Sequence, residues 1–181
     1  EIMLDYYKEK QFIASVDKDG NILREIEKWE AHKKGILHKA LTVALIYKGK
    51  FIVQHRRHLA FDKVYDVTSS SHQLFINGKL QTTEEATIKC LEREWNLNKK
   101  YLKNLKNMGP IYYKAKDKNS EFTEHELCDV ITVEVESKPE PNLDFSYDSL
   151  LVSKQELTDK KSRIYKNLAP WVKVMIEENK I

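Results

Sequence analysis

Residues 36–57 read ILHKALTVALIYKGKFIVQHRR: an apolar run, a Lys-Gly-Lys turn and a second apolar run. The β-branched and aromatic content of both runs suits half-buried strands, so the stretch predicts a β-hairpin. FIASVDKDGNILRE (12–25) repeats the design around an Asp-Gly-Asn turn. A third turn, Asn77-Gly78-Lys79, precedes TTEEATIKCLEREWNLN (82–98). There Thr82 and Glu85 have capping-box spacing, and Ile88, Leu91 and Trp95 recur on one face, which predicts a helix. KYLKNLK (100–106) predicts a short second helix, and residues 110–116 and 126–135 two further strands. The prolines of SKPEPNLD (137–144) make a loop. Residues 153–162 read as helical. So do residues 169–181, where Pro170 suits a first turn and Val172, Met175 and Ile176 share a face. Strands, a helix, strands and then helices predict a mixed α+β domain.

A chain of 181 residues can bury one sizeable core and is short for two. A single domain over 1–181 is therefore expected, with an N-terminal hairpin at about 11–25, a core at about 36–136 and C-terminal helices at about 150–181. The 41% hydrophobic and 33% charged content is that of a folded globular protein. A net charge of +3, with no dense Lys/Arg block interleaved with aromatics, disfavours a nucleic-acid partner and suits an anionic small molecule. The longest apolar run, residues 40–47, falls far short of the ~20 residues that span a bilayer, so no membrane partner is expected. Two cysteines, Cys90 and Cys128, and a start that does not read as a secretory leader lead to an expected cytoplasmic location. Nothing in the pattern bears on oligomeric state.

Glu124 and Glu126 stand two apart entering a strand, so their carboxylates share a face while His125 points away. A solvated strand edge is the commoner fate of such a pair. His32 and His38 lie at the lip of the first long apolar strand, and His72 follows three serines. Three imidazoles and two carboxylates would form a nitrogen and oxygen shell for a divalent ion (Zn²⁺, Mn²⁺ or Mg²⁺), the two negative charges offsetting the ion's two positive ones. Spacing alone leaves open whether the five converge.

IEKWEAH, LHKAL, SSH, YYKA, EHELC and APW occur in the order of six segments of the type I isopentenyl diphosphate isomerases, a branch of the Nudix fold. The chain resembles that family from about residue 12 to 175. The resemblance implies a mixed β-sheet sandwiched between α-helices and a small-molecule diphosphate substrate. It implies His32, His38, His72, Glu124 and Glu126 as ligands of a divalent metal, and Glu94 as the carboxylate that holds a second ion, Mg²⁺, on the substrate diphosphate. Lys28, Arg56 and Arg57 match the family's phosphate contacts, and guanidinium forks suit that role. Glu126 and Tyr113 match its proton-handling groups. Trp171 matches the indole that shelters the cation formed when an alkene is protonated.

Three positions depart from the family. Its catalytic cysteine is replaced by Ser70, a far weaker acid than a thiol, which needs an adjacent base to act as more than a hydrogen-bond donor. The loop HLAFDKVYDV (58–67) is shorter and lacks the matching lysine, for which Lys63 is a candidate substitute. Cys90, after Lys89, stands where the isomerases carry arginine. An ordinary Nudix hydrolase is the alternative enzyme, yet aligned through Glu94 its helix signature shows Lys89 for arginine, Cys90 and Arg93 for two glutamates and Asn96 for glycine. Losing two of three carboxylates removes most of what attracts ions. A catalytically inactive diphosphate-binding module is the third reading.

Overall fold

The computed structural model describes residues 4–181. After a single-turn helix α1 (Asp5–Lys8), strands β1 (Phe12–Val16) and β2 (Ile22–Glu27) pair antiparallel. Asp17 closes their turn by accepting from the backbone amides of Asp19 and Asn21, both at 2.9 Å. Helix α2 (Lys28–Lys34) starts on Glu27, whose side chain accepts from the Glu30 amide, and ends at Gly35, which adopts φ +64°. Strands β3 (His38–Tyr47) and β4 (Lys50–Arg56) form the hairpin expected from residues 36–57. Short strands β5 (Tyr65–Asp66) and β6 (Ser69–Ser71) follow, then a two-stranded ribbon of β7 (Phe75–Ile76) and β8 (Lys79–Leu80). Helix α3 (Thr83–Trp95) carries the capping box: Thr82 and Glu85 each cap the other's amide. The remaining elements are β9 (Lys103–Lys116), β10 (Thr123–Val135), β11 (Ser146–Val152), α4 (Lys154–Thr158), α5 (Arg163–Lys166) and α6 (Pro170–Glu177).

Nine strands form one sheet in the order β11-β4-β3-β1-β2, with β10 parallel to β3 and β9 antiparallel to β10. Because strand residues alternate between faces, the sheet divides the core in two. Ala40, Ala44, Cys128 and Val130 face Trp171, Val172 and Met175 of α6. Val43, Leu45, Ile131 and Val133 face Leu91 and Trp95 of α3. Each fully buried Val, Leu, Ile or Met among them contributes about 1.5–3 kcal/mol. The result is the expected α+β arrangement, a mixed sheet between helices.

Two expectations need correction. Residues 100–106 are not a helix: a 3₁₀ turn at Lys99–Tyr101 leads into β9 at Lys103. A seven-residue helix is marginal because its nucleus is costly. Pairing of Lys103 with Glu134 and Lys106 with Thr132 satisfies the backbone instead, while Leu102 and Leu105 pack on the α3 side of the core. Of residues 153–162, only Lys154–Thr158 is helical before the chain turns.

Candidate metal and diphosphate site

The site lies on the α6 face of the sheet. In the parallel β3/β10 register His38 stands beside Glu126, and in the antiparallel β10/β9 register Glu126 stands beside Tyr113. Glu124, two residues earlier, shares their face. α2 supplies His32, and the segment after β6 brings in His72. One ligand atom from each of His32, His38, His72, Glu124 and Glu126 lies within 4.8 Å of all the others. Among the described residues this is the one such cluster of potential ligands. His38 Nε2 is 2.9 Å and His72 Nε2 3.0 Å from Glu126 Oε2, and His32 Nε2 is 3.2 Å from Glu124 Oε1.

The donors fit a divalent ion. Nδ1 of His32 lies 2.6 Å from the Lys28 carbonyl and Nδ1 of His38 2.7 Å from the Ile36 carbonyl, so each ring donates there and turns Nε2 towards the carboxylates, the nitrogen that an ion would take in place of a proton. Glu124 Oε2 is buried with no hydrogen-bond partner, 3.8 Å from His38 Nε2. Such an oxygen needs a cation beside it. Burial would raise the Glu126 pKa, but the hydrogen bond and charge of His38, with Glu124 and Tyr113, bring it down to about 2. Burial and the neighbouring His32 and His38 hold His72 well below the usual histidine value, in the neutral form that ligates metals. For His32, burial is outweighed by the charge and hydrogen bond of Glu124, and its pKa rises.

The same cavity gathers the remaining predicted groups, with one exception. The Tyr113 hydroxyl donates to Glu126 Oε1, and burial followed by the Glu126 charge keeps that phenol protonated. Ser70 and Trp171 line the wall, the Trp171 ring lying 5.8 Å from that of Tyr113. Lys28 is buried against Tyr6 and Gln11. Arg56 is buried too and donates to the Phe61 and Ala60 carbonyls. Glu94 sits apart from the five-residue cluster, accepting from Gln54 Nε2 at 3.1 Å and Arg93 Nη2 at 3.2 Å. Arg57 is the exception: it points out of the cavity, donating to the Leu143 carbonyl beside the Tyr147 ring. β4 ends at Arg56, and the next residue, Arg57, turns to the other side. Lys63, a candidate only as a substitute for the family's lysine, is not among the lining residues.

Other wall residues carry no recognisable sequence signal. His58 lies 3.6 Å from Glu94 and contacts the Tyr7 hydroxyl at 3.3 Å. Arg93 stacks on Tyr6 at 4.6 Å and bonds Ser71 and Glu94, placing a guanidinium one turn of α3 from Cys90. Asp66 lies behind Ser70, and only its position four residues earlier, at a strand end, could have marked it. Tyr6 and Tyr7 of α1 also line the cavity, whose free volume is about 50 Å³. Ligand sites usually hold ~300 Å³ or more. A cleft of about 480 Å³ adjoins it, sharing Tyr6, Lys28, Ser71 and His72 as walls.

No family model matches the chain. The chain is 29% identical over 168 residues to the isopentenyl-diphosphate Delta-isomerase of Rhodobacter capsulatus, with 88% of each covered. A Nudix hydrolase from M. smegmatis, RenU, superposes with a TM-score of 0.52 at 12% identity, covering 93% of this chain and 91% of that one. A MutT Nudix hydrolase from Burkholderia pseudomallei superposes with a TM-score of 0.53 at 14% identity, covering 78% and 96%. In sequence the chain is similar to an isopentenyl-diphosphate isomerase, and its fold is the one these Nudix hydrolases share.

Proposed function

We propose that the protein interconverts isopentenyl and dimethylallyl diphosphate. The observation that carries this reading is the single cavity in which Glu126, bonded to Tyr113 and flanked by three histidines, faces the Trp171 indole. Migration of the double bond requires one proton to be added to an unactivated alkene and another removed from the neighbouring carbon. Tyr113 and Glu126 form a hydrogen-bonded pair through which a proton reaches the alkene. The Trp171 face stabilises the positive charge that develops. Lys28 and Arg56 anchor the diphosphate, and Glu94 is placed to hold Mg²⁺ on it. A divalent ion on His32, His38, His72, Glu124 and Glu126 would supply positive charge that keeps the Glu126 carboxylate ionised and oriented. A cytoplasmic location belongs to the same reading.

Hydrolysis is the weaker alternative, because α3 presents Glu94 between Cys90 and Arg93 and not a cluster of carboxylates. The test is incubation of metal-loaded protein with isopentenyl diphosphate in heavy water. Deuterium in substrate and dimethylallyl product is the expected result. Neither exchange nor binding of either diphosphate would sink the reading, and phosphate release without exchange would favour the hydrolase.

A further inference from the structure

Ser70 occupies the thiol position of the resembled family, and the structure sets a buried acid against its hydroxyl. Asp66, at the end of β5, is fully buried, with Oδ2 2.7 Å from Ser70 Oγ. Asp66 Oδ1 accepts from Trp171 Nε1 at 3.0 Å and from the Val67 amide at 2.8 Å, and Arg56 Nη1 lies 3.4 Å from Oδ2. Thr42, the register partner of Ser70 on β3, holds the other side of the hydroxyl at 2.7 Å. A carboxylate accepts only, so the Ser70 hydrogen is directed to Asp66. The Ser70 lone pairs are left for Thr42 and for the cavity that Ser70 lines. A buried acid that merely stitched the chain together would not need to reach the two cavity residues, Ser70 and Trp171, at once.

We propose that Asp66 is a positioning residue that turns Ser70 into a proton acceptor, a serine–carboxylate relay in place of the thiol. The proposal rests on the isomerase reading above. In the step, the C–H electron pair on the carbon next to the cationic centre becomes the new double bond. The proton moves to Ser70 Oγ while the Ser70 proton passes to Asp66 Oδ2. One proton enters the substrate from the Tyr113–Glu126 side and one leaves on the Ser70 side; water then takes the proton from Asp66 and returns one to the Tyr113–Glu126 pair, which restores the enzyme. The bond to the Trp171 indole nitrogen ties the acceptor to the ring that faces the charge.

The test compares metal-loaded wild type, Asp66→Asn, Ser70→Cys and the double variant, reading deuterium exchange separately at the terminal and allylic carbons of isopentenyl diphosphate. Asp66→Asn is expected to lose about a hundredfold in allylic exchange, the scale of a lost general base, with KM little changed. In the Ser70→Cys background the same substitution is expected to cost far less, because a thiol exchanges its proton without Asp66. Unchanged exchange in Asp66→Asn, or an equal loss in both backgrounds, would overturn the relay. A second measurement needs no turnover: iodoacetamide alkylation of Ser70→Cys, with and without Asp66→Asn. Cys90 and Cys128 are buried and add little background. The carboxylate of Asp66 slows ionisation of the introduced thiol, so removing its charge is expected to speed alkylation several-fold; an unchanged rate overturns the pairing. A wild type silent in exchange would overturn the isomerase reading and the relay step with it, and alkylation would then decide the Asp66–Ser70 pairing by itself.

Discussion

Tyr113 and Glu126 are register partners across β9 and β10, and the phenol donates to the carboxylate oxygen that does not face His38 and His72. The second oxygen is thus reserved for the imidazoles, while the first is tied to a proton donor. Tyr113→Phe removes the donor without opening a cavity. Isomerisation is expected to fall about 10²-fold or more while metal content stays at the wild-type level. Steady-state turnover beside metal analysis of the same sample checks both halves, and metal loss in parallel with activity would contradict the separation.

Glu124 leaves one oxygen buried and unpartnered. Glu124→Gln keeps the volume and removes the charge, so divalent-metal affinity is expected to fall at least about tenfold, the loss seen even for residues that only support a ligand. Competition with a chromogenic chelator measures it. Since an ion that binds only the folded chain stabilises it, chelation is expected to lower the wild-type Tm and to move that of Glu124→Gln less.

His58 is held below the ordinary histidine pKa of 6.5 by burial and then by the charge of Arg56, against the opposing pull of Glu94. The folded state therefore resists a proton that the unfolded chain accepts. This stability is present above about pH 6.5 and is lost as pH falls towards the lower, folded-state value. Urea midpoints measured between about pH 7.5 and 5.5 are expected to drop on the acid side in wild type and to drop less in His58→Gln.

Thr82 is exposed, does not line the cavity, and closes the capping box of α3 with Glu85. Thr82→Ala is expected to cost about 1 kcal/mol with turnover intact. Leu91→Ala, in the α3-side core, is expected to cost about 2–5 kcal/mol. Urea denaturation gives both values, and a cap variant as damaging as the core variant would contradict the packing described.

Much of this molecule was local and therefore readable. The Lys-Gly-Lys and Asp-Gly-Asn turns, the apolar runs of β3 and β10, the Thr82/Glu85 cap and Pro170 each act within a few residues, and each appeared where expected. Order and spacing likewise picked out the five residues that converge, through resemblance. The first half of β9 was misread because its partners, Glu134 and Thr132, are remote in sequence and no short window contains them.

What folding alone decided is which side chains meet. His38 reaches Glu126 across 88 residues only because β3 and β10 run parallel in one register. Arg56 and Arg57 are neighbours of like charge, and only their place on the sheet sent one into the cavity and the other out. His58 and Tyr6 joined the wall, Arg93 the wall of the adjoining cleft and Asp66 the layer behind Ser70, through loop and helix placement that leaves no periodic trace. Turns and caps are written in contiguous residues, whereas a site is a product of long-range register, and register is settled by the packing of the whole sheet.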